Sequence, residues 1–116
     1  MSEINIEVSH TVSDFSALCS KWDAEQAVVR KAKGEAYTSG YGPYDNFKQI
    51  AEDVDITKYQ AWAVLYNKHH RAIMTAIHLA PSLPLEKSEG LEGRIDDAIN
   101  YLRLLKGMYI EDVSST

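Results

Sequence analysis

The sequence contains one cysteine, Cys19, in 116 residues. A lone thiol excludes an internal disulfide and a thiolate metal cluster, and it makes a reducing cytoplasm the expected setting. Prolines are also scarce, with only Pro43, Pro81 and Pro84 to break helices. The start has no basic-plus-apolar leader, and no apolar run reaches the roughly 18 residues of a membrane span, so neither secretion nor membrane insertion is expected. Basic residues are in deficit: 12 Lys and Arg against 17 Asp and Glu leave a formal charge of −5. That balance argues against binding nucleic acid through its phosphates, which needs cations. No glycine-rich phosphate loop joins a strand to a helix, because Gly40-Tyr41-Gly42 lacks the neighbours of a Walker or dinucleotide motif. The four histidines, His10, His69, His70 and His78, include no i,i+4 pair of the kind that holds zinc on one helix face.

What is present is helical periodicity in a chain of one-domain length. We expect a single helical domain over residues 1–116, with an arm at 1–10 and a tail at 108–116. Ile4, Ile6 and Val8 alternate with polar residues, as in a short strand or an extended arm. Thr11-x-x-Asp14 has the spacing of a capping box, with Ser13 as a rival cap. Phe15, Leu18, Trp22 and Val29 follow at helical intervals as far as Gly34, the first plausible stop. A tyrosine- and glycine-rich loop follows, and Pro43 is placed to open a short second helix carrying Phe47, Ile50 and Ala51. Thr57-x-x-Gln60 caps a third helix whose apolar stripe is Trp62, Leu65, Tyr66, His69, Ile73 and Ile77. After the Pro81–Pro84 loop, Leu91, Ile95, Ala98, Leu102 and Leu105 form a heptad-like seam, with Gly107 as the terminating glycine. The expectation is an all-α bundle of about four helices. Each long helix is apolar on one side, which predicts packing of helix on helix and pairing into a homodimer.

Three constellations are candidates for chemistry. Glu86, Glu89, Glu92 and Asp96 fall at steps of three, three and four. They form either a solvated acidic first turn favoured by the helix dipole or a ladder for Mg²⁺, with Glu92, Asp96 and Asp97 as its ligands. Lys68 and Arg71 share a face of the third helix, and Asp97 and Tyr101 share a face of the last. If these helices run antiparallel, the four make either a site for an anionic ligand or a clamp between helices. Tyr37, Tyr41 and Tyr44, with Asn46 close by, would either stack on a base or cover the helix ends. Cys19 and His69 read as packed core residues.

Three stretches in order resemble a known group. Tyr41-Gly42-Pro43-Tyr44-Asp45-Asn46-Phe47-Lys48-Gln49-Ile50-Ala51, Lys68-His69-His70-Arg71 and Arg94-Ile95-Asp96-Asp97-Ala98-Ile99-Asn100-Tyr101 resemble the "YG…NF…IA", "K-x-x-R" and "DxxxY" segments of small phage and prophage proteins. Those proteins are distantly similar to the all-α MazG-type nucleoside-triphosphate pyrophosphohydrolases. The resemblance covers about residues 30–105. It implies a small helical domain that dimerises and handles nucleotides, with Tyr41, Gly42, Asn46, Phe47, Lys68, Arg71, Asp97 and Tyr101 at the matching positions. The first helix lacks the Glu-Glu-x-x-Glu run of the enzymes, carrying only Asp14, Asp23 and Glu25. Any turnover would be of the Mg²⁺-dependent pyrophosphohydrolase kind, and binding without turnover survives that loss. The functional expectation is therefore a phage or prophage accessory protein that binds a nucleotide or another phosphorylated small molecule. The alternative is a non-enzymatic phage protein that binds a host protein.

Overall fold

A computed structural model describes residues 10–38, 42–85 and 90–116. The chain is all-α, with four helices in the order α1 (Val12–Thr38), α2 (Asp45–Val54), α3 (Lys58–Leu79) and α4 (Leu91–Ser114), and no strand among the described residues. The alternating segment at Ile4–Val8 lies outside the described residues. The chain divides into two compact units, Met1–Ser39 and Gly40–Thr116.

The first unit is built on α1. Thr11 Oγ1 accepts a hydrogen bond from the Asp14 backbone N–H at 3.0 Å, so Thr11, not Ser13, is the cap. Phe15 and Trp22 meet edge to face, 6.5 Å between ring centres. Gly34 does not stop the helix, which continues through it to Thr38. A single interior glycine costs about 1 kcal/mol relative to alanine, too little to end a helix of 27 residues.

The second unit packs α2 and α4 on α3. Pro43 lies in the turn before α2 instead of opening it: the Gly42 N–H donates to Asp45 Oδ2 at 2.7 Å, and the helix begins at Asp45. At the far end Asp55 takes a left-handed conformation (φ 58°), and the N–H groups of Asp55 and Ile56 both reach the Ala51 carbonyl. Two residues later α3 starts on a complete capping box. Thr57 Oγ1 accepts from the Gln60 N–H at 3.0 Å, and Gln60 Oε1 accepts from the Thr57 N–H at 2.9 Å.

The core of this unit is Phe47, Ala61, Trp62 and Met108, with Tyr44, Ile50, Leu65, Tyr101 and Leu104 packed around it. Met108 is fully buried. That burial explains why α4 runs past its expected end: residues 108–114 are helix, not tail, and Gly107 lies in the helix interior. The glycine has a packing role. A Cβ at Gly107 would overlap the Tyr44 hydroxyl and stand 3.0 Å from Tyr44 Cζ. Tyr44 therefore lies against bare α4 backbone, locking the start of α2 to α4.

Antiparallel packing of α3 and α4 is marked by contacts in reverse order along the two helices. Trp62 Nε1–H donates to the Tyr101 carbonyl at 2.7 Å. At the start of α3, Lys58 Nζ lies 2.8 Å from Asp112 Oδ1, and the Tyr59 hydroxyl donates to Asp112 Oδ2. This hydrogen bond, with smaller contributions from burial and the carboxylate charge, pushes the Tyr59 hydroxyl up to about 12. Hydrogen bonds from Lys58 and Tyr59 hold the Asp112 carboxyl below its ordinary value.

Two predictions follow from this packing. Gly107→Ala should lower stability in urea denaturation, although the same change in an open helix interior gains about 1 kcal/mol. In a Tyr44→Ala background the substitution should become neutral or stabilising. The Asp112 clamp has a defined pH window. The lowered Asp112 value contributes stability above about 3.8, lost as pH falls through the folded value. The raised Tyr59 value contributes below 10.0, lost as pH rises toward 12. Asp112→Asn should therefore lower Tm at neutral pH, and its Tm should converge with that of the parent chain in strong acid.

Candidate functional site

The strongest polar cluster in the second unit lies on the α3–α4 seam, two turns from the Trp62–Tyr101 contact. Seven residues beyond Trp62 on α3 is His69, and seven residues before Tyr101 on α4 is Arg94. Equal steps in opposite directions bring the two together, since both helices rise about 1.5 Å per residue. Both are buried, His69 at 6% and Arg94 at 8% relative exposure. Arg94 Nη1 lies 3.3 Å from His69 Nδ1. A guanidinium has only donors, so this contact is a hydrogen bond in the tautomer that leaves Nδ1 unprotonated.

Asp97 Oδ2 stands 3.9 Å from the same His69 Nδ1. The His69 and Tyr101 rings are 5.1 Å apart. Arg94, Asp97 and Tyr101 follow at steps of three and four, which puts them on one face of α4. The Tyr101 hydroxyl is raised above its ordinary value, first by burial and then by the Asp97 charge. Asn100, three residues beyond Asp97, has a buried Oδ1 with no hydrogen-bond partner. Along α3 an aromatic row continues from the core to the surface: Trp62 stacks on Tyr66 at 4.7 Å, and Tyr66 meets His70 at 5.9 Å.

The structure places the sequence candidates as follows. Asp97 and Tyr101 come together on α4, and their neighbour on α3 is His69. Lys68 and Arg71 are both exposed and neither is paired with Asp97 or Tyr101. The reason is helical phase: adjacent residues point about 100° apart, so a helix that turns His69 inward turns Lys68 outward. Tyr44 packs on Gly107, and Asn46 is exposed. Tyr41, Glu86 and Glu89 lie outside the described residues, as does the Tyr37 side chain, although Tyr37 itself belongs to α1 and not to a loop. Cys19 is half-buried.

Glu92 and Asp96 are exposed, while Asp97 is half-buried beside His69. Among the described residues no group of three His, Cys, Asp or Glu side chains comes together to hold a metal.

Arg94 was the residue hardest to single out in advance. Its spacing to Asp97 put it on the right face, but an arginine in the first turn of a helix ordinarily reads as solvated. His69 was legible as a packed histidine within an apolar stripe, and the packed, hydrogen-bonded ring is what the structure contains.

No protein-family model matches the chain, and neither a curated protein nor a solved structure does. No helix among the described residues is long and apolar enough to cross a membrane.

The tyrosine at the centre of this cluster gives a direct readout. Tyr101 should remain protonated above pH 10, and its spectroscopic titration should lie higher than that of an exposed tyrosine, with Tyr101→Phe assigning the signal. Asp97→Asn should move that titration down without restoring the ordinary value, because burial is the larger cause.

Proposed function

We propose that this chain is a small phage or prophage accessory protein that binds an anionic, phosphorylated small molecule, with a nucleotide as the favoured class, at the α3–α4 cluster. The observation that carries the reading is a buried guanidinium beside a buried imidazole. A guanidinium presents five N–H donors in a planar fork that matches phosphate geometry, which suits this position to an anionic ligand. Arg94 is the phosphate anchor in this reading. Lys68 and Arg71 draw the anion in from the exposed side of α3. The Tyr101 phenol and the unsatisfied Asn100 carbonyl oxygen receive the polar groups of the base or sugar, and His70 and Tyr66 offer ring faces. The proposal is one of binding and not of hydrolysis, because the first helix lacks the paired acidic run that would hold a metal over a triphosphate.

Calorimetric titration with nucleoside mono-, di- and triphosphates, with and without Mg²⁺, tests it. The expected result is binding at micromolar to millimolar concentration, abolished by Arg94→Gln in protein whose circular dichroism is unchanged. Lys68→Ala with Arg71→Ala should weaken binding several-fold without abolishing it. Folded protein that shows no heat and no thermal shift at millimolar nucleotide overturns the proposal.

A second reading, docking on a host protein, is favoured by the apolar side chains that α3 leaves exposed: Val64, Met74, Ile77 and Leu79. It predicts a captured partner whose binding is unaffected by Arg94→Gln and lost with Met74→Glu.

A further inference from the structure

The Arg94 anchor makes no use of His69, yet that imidazole is buried on the α3–α4 seam. Two opposed groups surround one of its nitrogens. His69 Nδ1 lies 3.3 Å from Arg94 Nη1 and 3.9 Å from Asp97 Oδ2. A guanidinium can only donate and a carboxylate can only accept, so one nitrogen cannot serve both at once. Without a proton, Nδ1 accepts from Arg94. With a proton, it repels Arg94 and donates to Asp97. Histidine ordinarily changes charge between about pH 5 and 8, so both states fall within reach of a folded chain.

The two partners are neighbours on one face of α4, three residues apart. Closing the 3.9 Å gap to a charge-assisted bond of about 2.8 Å takes a movement of about 1 Å. A turn of the ring or a new rotamer at Asp97 supplies it without moving either helix. Within the second unit, α4 also brings Tyr101, whose ring is 5.1 Å from that of His69. Its hydroxyl is raised, first by burial and then by the Asp97 charge, so it is neutral wherever a histidine titrates. Helix α2 reaches this part of the seam through Phe47, which meets the Tyr101 ring at 6.1 Å and carries no charge. On α3 the neighbouring Tyr66 and His70 meet each other. His69, Arg94 and Asp97 each make further interactions as well, and the exchange concerns Nδ1 alone.

We infer that His69 is a proton-operated switch on the α3–α4 seam, passing its Nδ1 from Arg94 to Asp97 when the ring takes up a proton. In the deprotonated state it ties the guanidinium to α3. In the protonated state it releases the Arg94 Nη1 donor and holds the Asp97 carboxylate instead. The two helices stay joined at this level throughout, but through different residues, and the donors that Arg94 has to offer change with pH. The switch is a property of the seam and stands whether or not the cluster binds a ligand.

Nitrogen-15 NMR of the imidazoles in the full chain, followed across the histidine range, tests the switch, with His69→Gln assigning the signal. At the alkaline end Nδ1 of His69 is expected to be the unprotonated nitrogen. At the acid end both ring nitrogens should carry protons while circular dichroism is unchanged. Asp97→Asn should move the His69 midpoint to lower pH, because the imidazolium loses its opposite charge. Arg94→Gln should move it to higher pH, because a like charge and a donor to the neutral ring are both removed. A histidine that is merely packed would not respond to the two substitutions with opposite signs. The tautomer is read on the unaltered chain, so it decides the matter even where a variant fails to fold. An Nδ1–H tautomer at alkaline pH overturns the proposal. So does a midpoint that neither substitution moves, or a His69 that takes up its proton only as the chain unfolds.

Discussion

The hydrogen bond from the Trp62 indole to the Tyr101 carbonyl is the contact on which the second unit depends. It joins the second turn of α3 to the middle of α4, and it is specific because a mid-helix carbonyl has only one lone pair left once its own i+4 N–H is bonded. With this point set, antiparallel geometry dictates the rest of the seam. Two turns in one direction His69 comes to Arg94; in the other, Lys58 and Tyr59, one turn from Trp62, reach Asp112, three turns from Tyr101. Slipping the helices by a single turn, about 5.4 Å, would separate both polar contacts. Directional polar groups thus specify a register that hydrophobic burial alone would leave degenerate.

Around that seam the core is small. Met108 and Phe47 fill the space below Trp62, and Tyr44 closes it by lying on the bare backbone of Gly107. The same economy leaves apolar side chains outside: Val64 and Met74 on α3, Ile95 and Leu102 on α4. A unit that buries few large side chains and exposes several in rows has surface to spend on contacts with other molecules.

The buried Arg94–His69 pair carries a constraint of its own. The Arg94 guanidinium brings donors and no acceptor to the cluster. His69 can share a hydrogen bond with it only as a neutral ring. Asp97, 3.9 Å from His69, supplies nearby negative charge, and the Tyr101 hydroxyl is harder to ionise first because it is buried and then because of that carboxylate. Charge, tautomer and phenol are therefore linked, and a change at any one of them is felt by the other two.

Much of this was readable along the chain, and the remainder fails for identifiable reasons. The capped start of α3 at Thr57, the start of α1 at Thr11 and the four-helix, all-α character are local properties, written in hydroxyl-plus-Gln spacing and in apolar residues recurring every three or four positions. Glycine reads as a stop at Gly34 and Gly107, yet α1 and α4 run through both. Its local cost is about 1 kcal/mol, and burial of a residue such as Met108 outweighs that. The polar site was half legible. Asp97 and Tyr101 share a face by spacing alone, whereas their partner on α3 depends on the rotational phase at which that helix docks, and a shift of one residue exchanges Lys68 for His69. Period and capping belong to neighbours a few bonds apart, so the linear order of residues suffices for them. Phase, register and the use of Gly107 as a seat for Tyr44 belong to pairs far apart in the chain, and they came into being only when the helices packed.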